Sequence, residues 1–196
     1  RAGRPADQRR ITGQPARLTR RDGSIFTPAF ATAGMYSTPT DLSIELPNGG
    51  PGPDPLRVDQ VDADFVVLLF HRDFHCSNCQ TQASEIATRY DEFRQHNAVV
   101  VSILPESKER AAEWADSYDL PFPVVADPDS TTADRFGQPV RFGVLGRLHD
   151  LIGRMPLVVI IDRRGEEPRL VYSYVGDAPG DRPTVDSLLL ELERNQ

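Results

Sequence analysis

Two largely apolar runs, Phe65–Phe70 (FVVLLF) and Ala98–Leu104 (AVVVSIL, with Ser102 its one polar residue), punctuate the first half of the chain. Runs of this length without polar alternation predict strands buried on both faces. Leu157–Ile161 has the same character and predicts a third. Between the first two, Ser77–Gln95 spaces Cys79, Ala83, Ile86, Ala87, Tyr90 and Phe93 by threes and fours, which predicts one amphipathic helix. Glu106–Tyr118 does the same with Ala111, Trp114, Ala115 and Tyr118. Leu42–Leu46 alternates as an edge strand would, Pro47–Pro55 reads as a loop, and the proline-bounded Phe122–Val125 reads as a brief edge strand. Residues 128–153 are short, Gly-punctuated segments with room for two small helices. A turn at Asp162–Pro168 then makes Arg169–Val175 a hairpin partner of the third buried strand. Thr184 can cap a last helix whose buried stripe is Val185, Leu188, Leu189 and Leu192. Crossover helices between parallel strands, followed by a hairpin and a helix, predict an α/β protein: a three-layer α/β/α sandwich around a mixed central sheet.

Composition changes this picture at the N-terminus. Residues 1–40 are rich in Arg, Gly, Pro, Ala and Thr and offer little to bury, so they are expected to form a disordered basic extension ahead of a folded domain over 41–196. Met35, close to where the composition shifts, is a candidate start site. The net charge is −7, yet residues 1–23 carry seven arginines against Asp7 and Asp22, leaving −12 on the rest. An acidic body argues against a nucleic-acid partner. No run is long enough to span a bilayer, and no apolar segment follows the basic N-terminus, so the expectation is a cytoplasmic protein without a membrane partner.

The chain has two cysteines, Cys76 and Cys79, at the junction of a predicted buried strand and the following helix. A disulfide across two residues constrains little of the unfolded chain, so redox chemistry or metal binding explains the pair better than structure does. At a helix N-terminus Cys76 would meet unpaired N–H groups and the positive end of the dipole, which favour a thiolate. Cys79, one turn on, lies on the same face. Arg72 and His75 would add positive charge if they fold towards the sulfur. The competing readings are a zinc site drawn from His71, His75, Cys76 and Cys79, and two incidental buried cysteines.

Three longer stretches carry a resemblance. VVLLFHRDFHCSNCQTQ resembles the strand and C-x-x-C active-site segment of the peroxiredoxin-like branch of the alkyl hydroperoxide reductase/thiol-specific antioxidant (redoxin) family. DLPFPVVADPDSTTADRFG is similar to that family's downstream L-P-F-P…A-D-P-D block, and GRMPLVVIIDRRG to its Arg-bearing strand and turn; the closing YVGD is also similar. The resemblance, over about residues 42–194, implies a thioredoxin-like fold and a thiol peroxidase. It implies Cys76 as the attacking thiolate and Cys79 as the resolving cysteine, with a hydroperoxide as substrate and a thioredoxin-like dithiol as reductant. It also implies Arg154 as the arginine that polarises the peroxide, and Pro156 as a cis-proline facing the sulfur. No cofactor is implied, and a homodimer is open to it. Two positions depart from the usual peroxiredoxin pattern: Leu69 and Asp73 stand where a Pro and a Thr or Ser are expected. An ionised Asp73 would repel a thiolate and cannot donate to a peroxide. Other readings of the same dithiol are a protein disulfide oxidoreductase and a non-catalytic redox sensor.

Overall fold

A computed structural model describes residues 41–140 and 154–196. The expected N-terminal extension, the candidate start at Met35 and the second of the small helices expected before residue 153 lie outside the described residues. The three apolar runs form the middle of a five-stranded sheet. In chain order its strands are β3 (Phe65–Phe70), β4 (Ala98–Leu104), β5 (Val124–Ala126), β6 (Leu157–Asp162) and β7 (Arg169–Val175). They are arranged β5-β4-β3-β6-β7. β3, β4 and β5 are parallel, whereas β6 runs antiparallel to β3 and β7 antiparallel to β6. The sheet is therefore mixed, as expected. β7 consequently points the same way as β3, and both leave the sheet at one end.

Alternate residues of β3 feed opposite faces. Phe65, Val67 and Leu69 join a core with α1 (Ser77–Thr88), α2 (Tyr90–Gln95), α3 (Lys108–Ser117) and α5 (Val185–Arg194). Val66, Leu68 and Phe70 face α4 (Thr131–Arg135) and an antiparallel pair of two-residue strands, β1 (Glu45–Leu46) and β2 (Leu56–Arg57). Burying every residue of β3 explains its lack of alternation. Among the described residues no helix is long and apolar enough to cross a membrane.

Three expectations need correction. The strand expected over Leu42–Leu46 narrows to Glu45–Leu46, and its partner β2 lies just after the proline-rich loop, too short to show periodicity. The helix expected over Ser77–Gln95 breaks at Arg89, whose backbone leaves helical geometry (φ −113°, ψ 19°). Thr88 Oγ1 bonds back to the Ser84 carbonyl at 2.9 Å, and Arg89 is drawn to Glu92 and Asp186. The Met155–Pro156 bond is trans; among the described residues Asp54–Pro55 is the one cis peptide. A trans bond lets the extended chain run from the Val140–Arg154 bridge straight into β6, with the Met155 amide on Pro139 O and the Pro156 carbonyl accepting from the Gly176 amide.

Far from the cysteines, Asp162 ends β6 in a buried position. Arg164 gives it Nε and Nη2 at 3.0 Å each, and Arg169 Nη2 lies at 2.8 Å. The Arg164 bonds hold its carboxyl well below the ordinary carboxylate range against the opposing effect of burial, with Arg169 adding to them. A depressed carboxylate contributes stability that is complete above its unfolded pKa of about 4 and is lost as pH falls through the lower folded value. Asp162→Asn is expected to lower the urea midpoint at pH 7, with the gap to wild type closing as pH drops below about 4. Equal midpoints at both ends of that range would contradict the assignment.

Candidate active site

The residue after β3, His71, still pairs with the sheet through its amide to Ile103 O. The chain then turns at Arg72–His75 and enters α1 with Cys76 as N-cap. Cys76 Sγ accepts the Cys79 amide at 3.2 Å, so one of the free N–H groups in the first turn of the helix is spent on sulfur. The two cysteines form a disulfide with Cα atoms 5.2 Å apart. Both are buried, at 1% and 0% exposure, which means that a reactant reaches them only at the sulfur edge or after local opening.

Asp73 organises the turn. Its Oδ1 accepts the His75 amide at 2.8 Å and its Oδ2 the Arg72 Nε at 2.6 Å. The charge expected to repel a thiolate is thus neutralised by its neighbour, and Arg72 gives its Nε to Asp73. His75 is at the surface, its ring edge-on to Phe74. Phe74 is fixed by the Arg110 guanidinium 3.9 Å from its ring centroid and by its own amide on Glu106.

His71 does not join the sulfurs in a metal set. Its Nε2 sits 3.0 Å from Ser102 Oγ, and its ring packs 4.9 Å from Trp114. Burial, with a smaller contribution from Arg182, pushes its pKa down to about 3, so it is neutral near pH 7. Among the described residues no group of three His, Cys, Asp or Glu side chains is placed to hold a metal ion.

Arg154 lies at the start of β6, beside the exit of β3, because the two strands are antiparallel with Phe70 opposite Leu157. Its Nη1 donates to Asp134 Oδ1 at 3.0 Å, and the side chain is buried. The segment is fixed to the cysteine loop by Gln138, whose amide nitrogen reaches the carbonyls of Phe70, His71 and Met155. Asp127, from the A-D-P-D stretch, accepts from the amides of Thr132 and Ala133, so that stretch starts α4 and aims Asp134.

The guanidinium at the sulfurs is one the sequence did not single out. Arg182 Nη2 lies 3.1 Å from Cys79 Sγ and 3.7 Å from Cys76 Sγ. It arrives on the loop after β7, which opens at the cysteine end of the sheet because β7 runs parallel to β3. The turn requires Gly176, where a Cβ would collide with Asp181 O and meet the Pro156 ring. Asp181 locks the loop by accepting from the Tyr174 hydroxyl and from the Asp177 amide. That bond, with burial second, lifts the Tyr174 phenol to about 12. The signal in sequence was a loop with two glycines and two prolines at the carboxyl end of a strand, where open α/β sheets place their sites.

Comparison with known proteins bears on the family and the fold. Residues 42–166 match the model of the AhpC/TSA family. Peroxiredoxin Bcp of Bacillus subtilis (strain 168) is 22% identical over 96 residues, covering 49% of this chain and 59% of the relative. Peroxiredoxin 2 of Sulfurisphaera tokodaii is 27% identical over 85 residues, 40% of each. The matches thus span less than two thirds of these relatives' own lengths. Among solved structures, peroxidoxin BcpB from Mycobacterium tuberculosis superposes with a TM-score of 0.64 at 23% identity, over 79% of this chain and 94% of its own. The bacterioferritin comigratory protein of Xanthomonas campestris, studied for alkyl peroxide reduction, gives 0.63 at 14% identity, over 78% and 91%. These likenesses establish the thioredoxin-like α/β fold.

Proposed function

The chain belongs to the AhpC/TSA family, and on that premise we propose that its 41–196 domain is a thiol peroxidase reducing hydrogen peroxide or organic hydroperoxides through Cys76. The observation that carries the proposal is the Cys76–Cys79 pair at the N-terminus of α1, with cationic side chains at the same end of the sheet. The Cys76 thiolate attacks the nearer peroxide oxygen. An S–O bond forms, the O–O bond breaks, and the other oxygen leaves, taking up a proton as water or an alcohol. Arg154 is assigned to that leaving oxygen, its donors oriented by Asp134. Cys79 then displaces hydroxide from the sulfenic acid to give the disulfide, and an external dithiol of thioredoxin type restores both thiols. No cofactor enters the cycle.

The departures at Leu69 and Asp73 bear on efficiency. Asp73 serves the turn through Arg72 and the His75 amide, so the hydroxyl donor of the usual pattern has no replacement at that position. Donation to the peroxide falls to Arg154 and to the backbone at the head of α1.

Anaerobic titration of the reduced full chain with a hydroperoxide tests this reading. Loss of both thiols for each peroxide consumed, with recovery by a thioredoxin–thioredoxin reductase pair, is expected. Exchange with protein disulfides alongside peroxide reactivity no faster than a free thiol would assign the pair to disulfide exchange instead.

A further inference from the structure

The two sulfurs are served by different devices. Cys76 has the helix N-terminus, through the Cys79 amide at 3.2 Å. Cys79 has Arg182, whose Nη2 is closer to it than to Cys76. The remaining Arg182 contacts are neutral oxygens: Nε faces Pro179 O at 3.3 Å, and Nη1 faces Gln82 Oε1 at 2.9 Å. Gln82 is itself buried and held by its amide on Pro183 O. Among the described residues no carboxylate lies within ion-pair distance of Arg182. Burial, with the nearby charge of Arg72, draws the guanidinium down to about 10. A half-buried cation whose partners are all neutral gains most where a full negative charge develops at an atom it already touches.

In the disulfide Cys79 is neutral, and its charge appears in two steps of the cycle. We propose that Arg182 is a catalytic residue for the Cys79 half of the reaction, stabilising the Cys79 thiolate as nucleophile in resolution and as leaving group in re-reduction. In resolution the Cys79 thiolate attacks the Cys76 sulfenic sulfur; the S–S bond forms, the S–O bond breaks, and hydroxide leaves to take up a proton. In re-reduction a thiolate of the external dithiol attacks Cys76 Sγ, the S–S bond breaks, and its electron pair departs on Cys79 beside Arg182. Arg182 thereby sets the polarity of the disulfide, with Cys76 as the sulfur the reductant meets. The resolution step rests on the peroxidase reading; the re-reduction step requires only a dithiol.

Among the described residues, several other ionisable groups near the pair are already occupied or neutral. Arg72 is bound to Asp73, Glu106 accepts from Arg110 and the Phe74 amide, and Asp181 from Tyr174 and Asp177. His71 is neutral. Among the described residues, Arg182 is the cation in contact with Cys79 Sγ.

The test begins in a Cys76→Ser background, where Cys79 is the one thiol, with its thiolate followed by ultraviolet absorbance against pH. Adding Arg182→Gln is expected to raise the Cys79 pKa by about one to two units, and Arg182→Lys to keep it low. In the intact pair, Arg182→Gln is expected to slow disulfide reduction by dithiothreitol about 10- to 100-fold, with Lys restoring most of the rate. With hydrogen peroxide the same variant should accumulate trappable sulfenic acid at Cys76. An unchanged Cys79 pKa, or Gln and Lys variants equally slow, would overturn the proposal. Sulfenic acid absent from every variant, with the dithiothreitol effect intact, would remove the peroxidase reading while supporting the role of Arg182 in re-reduction.

Discussion

Cys76→Ser is expected to reduce peroxide consumption to the background of the buffer, the largest effect of any single change in the chain. The helix N-terminus stabilises an anion on the N-cap side chain. A thiol can accept that help near neutral pH; a serine hydroxyl ionises far too weakly for about one charge-assisted bond to compensate. Cys79→Ser should behave differently. It keeps the attacking sulfur at the head of α1, so one burst of peroxide is consumed per chain and the product stops as sulfenic acid, convertible to sulfinic acid by excess oxidant. A peroxide electrode and intact-protein mass spectrometry separate the two variants. Neither change should unfold the domain. The disulfide closes a loop of two intervening residues and contributes little through chain entropy, so both variants are expected to melt close to the reduced wild type.

Arg154→Ala is expected to lower the second-order rate constant for peroxide by about 10²- to 10³-fold, the loss typical of removing a preorganised donor from a developing oxyanion. The side chain is suited to that task because it is buried at 7% exposure and held at the cysteine end of the sheet by Asp134 and the Gln138 bridge. Asp134→Asn keeps the geometry but weakens the hold, and should fall between Arg154→Ala and wild type. Stopped-flow oxidation with hydrogen peroxide and with a bulkier organic hydroperoxide checks both. A rate constant within about threefold of wild type in Arg154→Ala would remove Arg154 from the peroxide step. Together with Arg182→Gln, this variant is expected to divide the cycle, with Arg154→Ala slowing the step that makes sulfenic acid and Arg182→Gln the steps in which Cys79 carries charge.

The parts of this architecture that local pattern controls were legible. β3 and β4 have apolar runs without polar alternation, Ser102 apart, because both of their faces are covered, and α5 shows its stripe because one face packs and the other meets solvent. Cys76 could be placed at a helix start because strand, C-x-x-C and helix follow one another directly. Arg182 could not be found that way. Its approach to the sulfurs depends on β7 running parallel to β3 and on the Gly176–Pro183 turn, contacts separated by about a hundred positions in sequence. The role of Asp73 was hidden for a different reason. Its charge was visible, but whether it faces the sulfur or caps its own turn is decided by one side-chain rotation towards Arg72. The break at Arg89 had no Gly or Pro to announce it; a threonine back-bond and an arginine held by two carboxylates produce it.

The most direct test of the central claim is the rate constant of the fully reduced wild-type chain with hydrogen peroxide at neutral pH. It can be followed by Trp114 fluorescence, since Trp114 shares one core with both cysteines. The account predicts a value at least about 10³-fold above that of a free thiol, lost in Cys76→Ser and retained for a single turnover in Cys79→Ser. A wild-type value equal to that of a free thiol would contradict it.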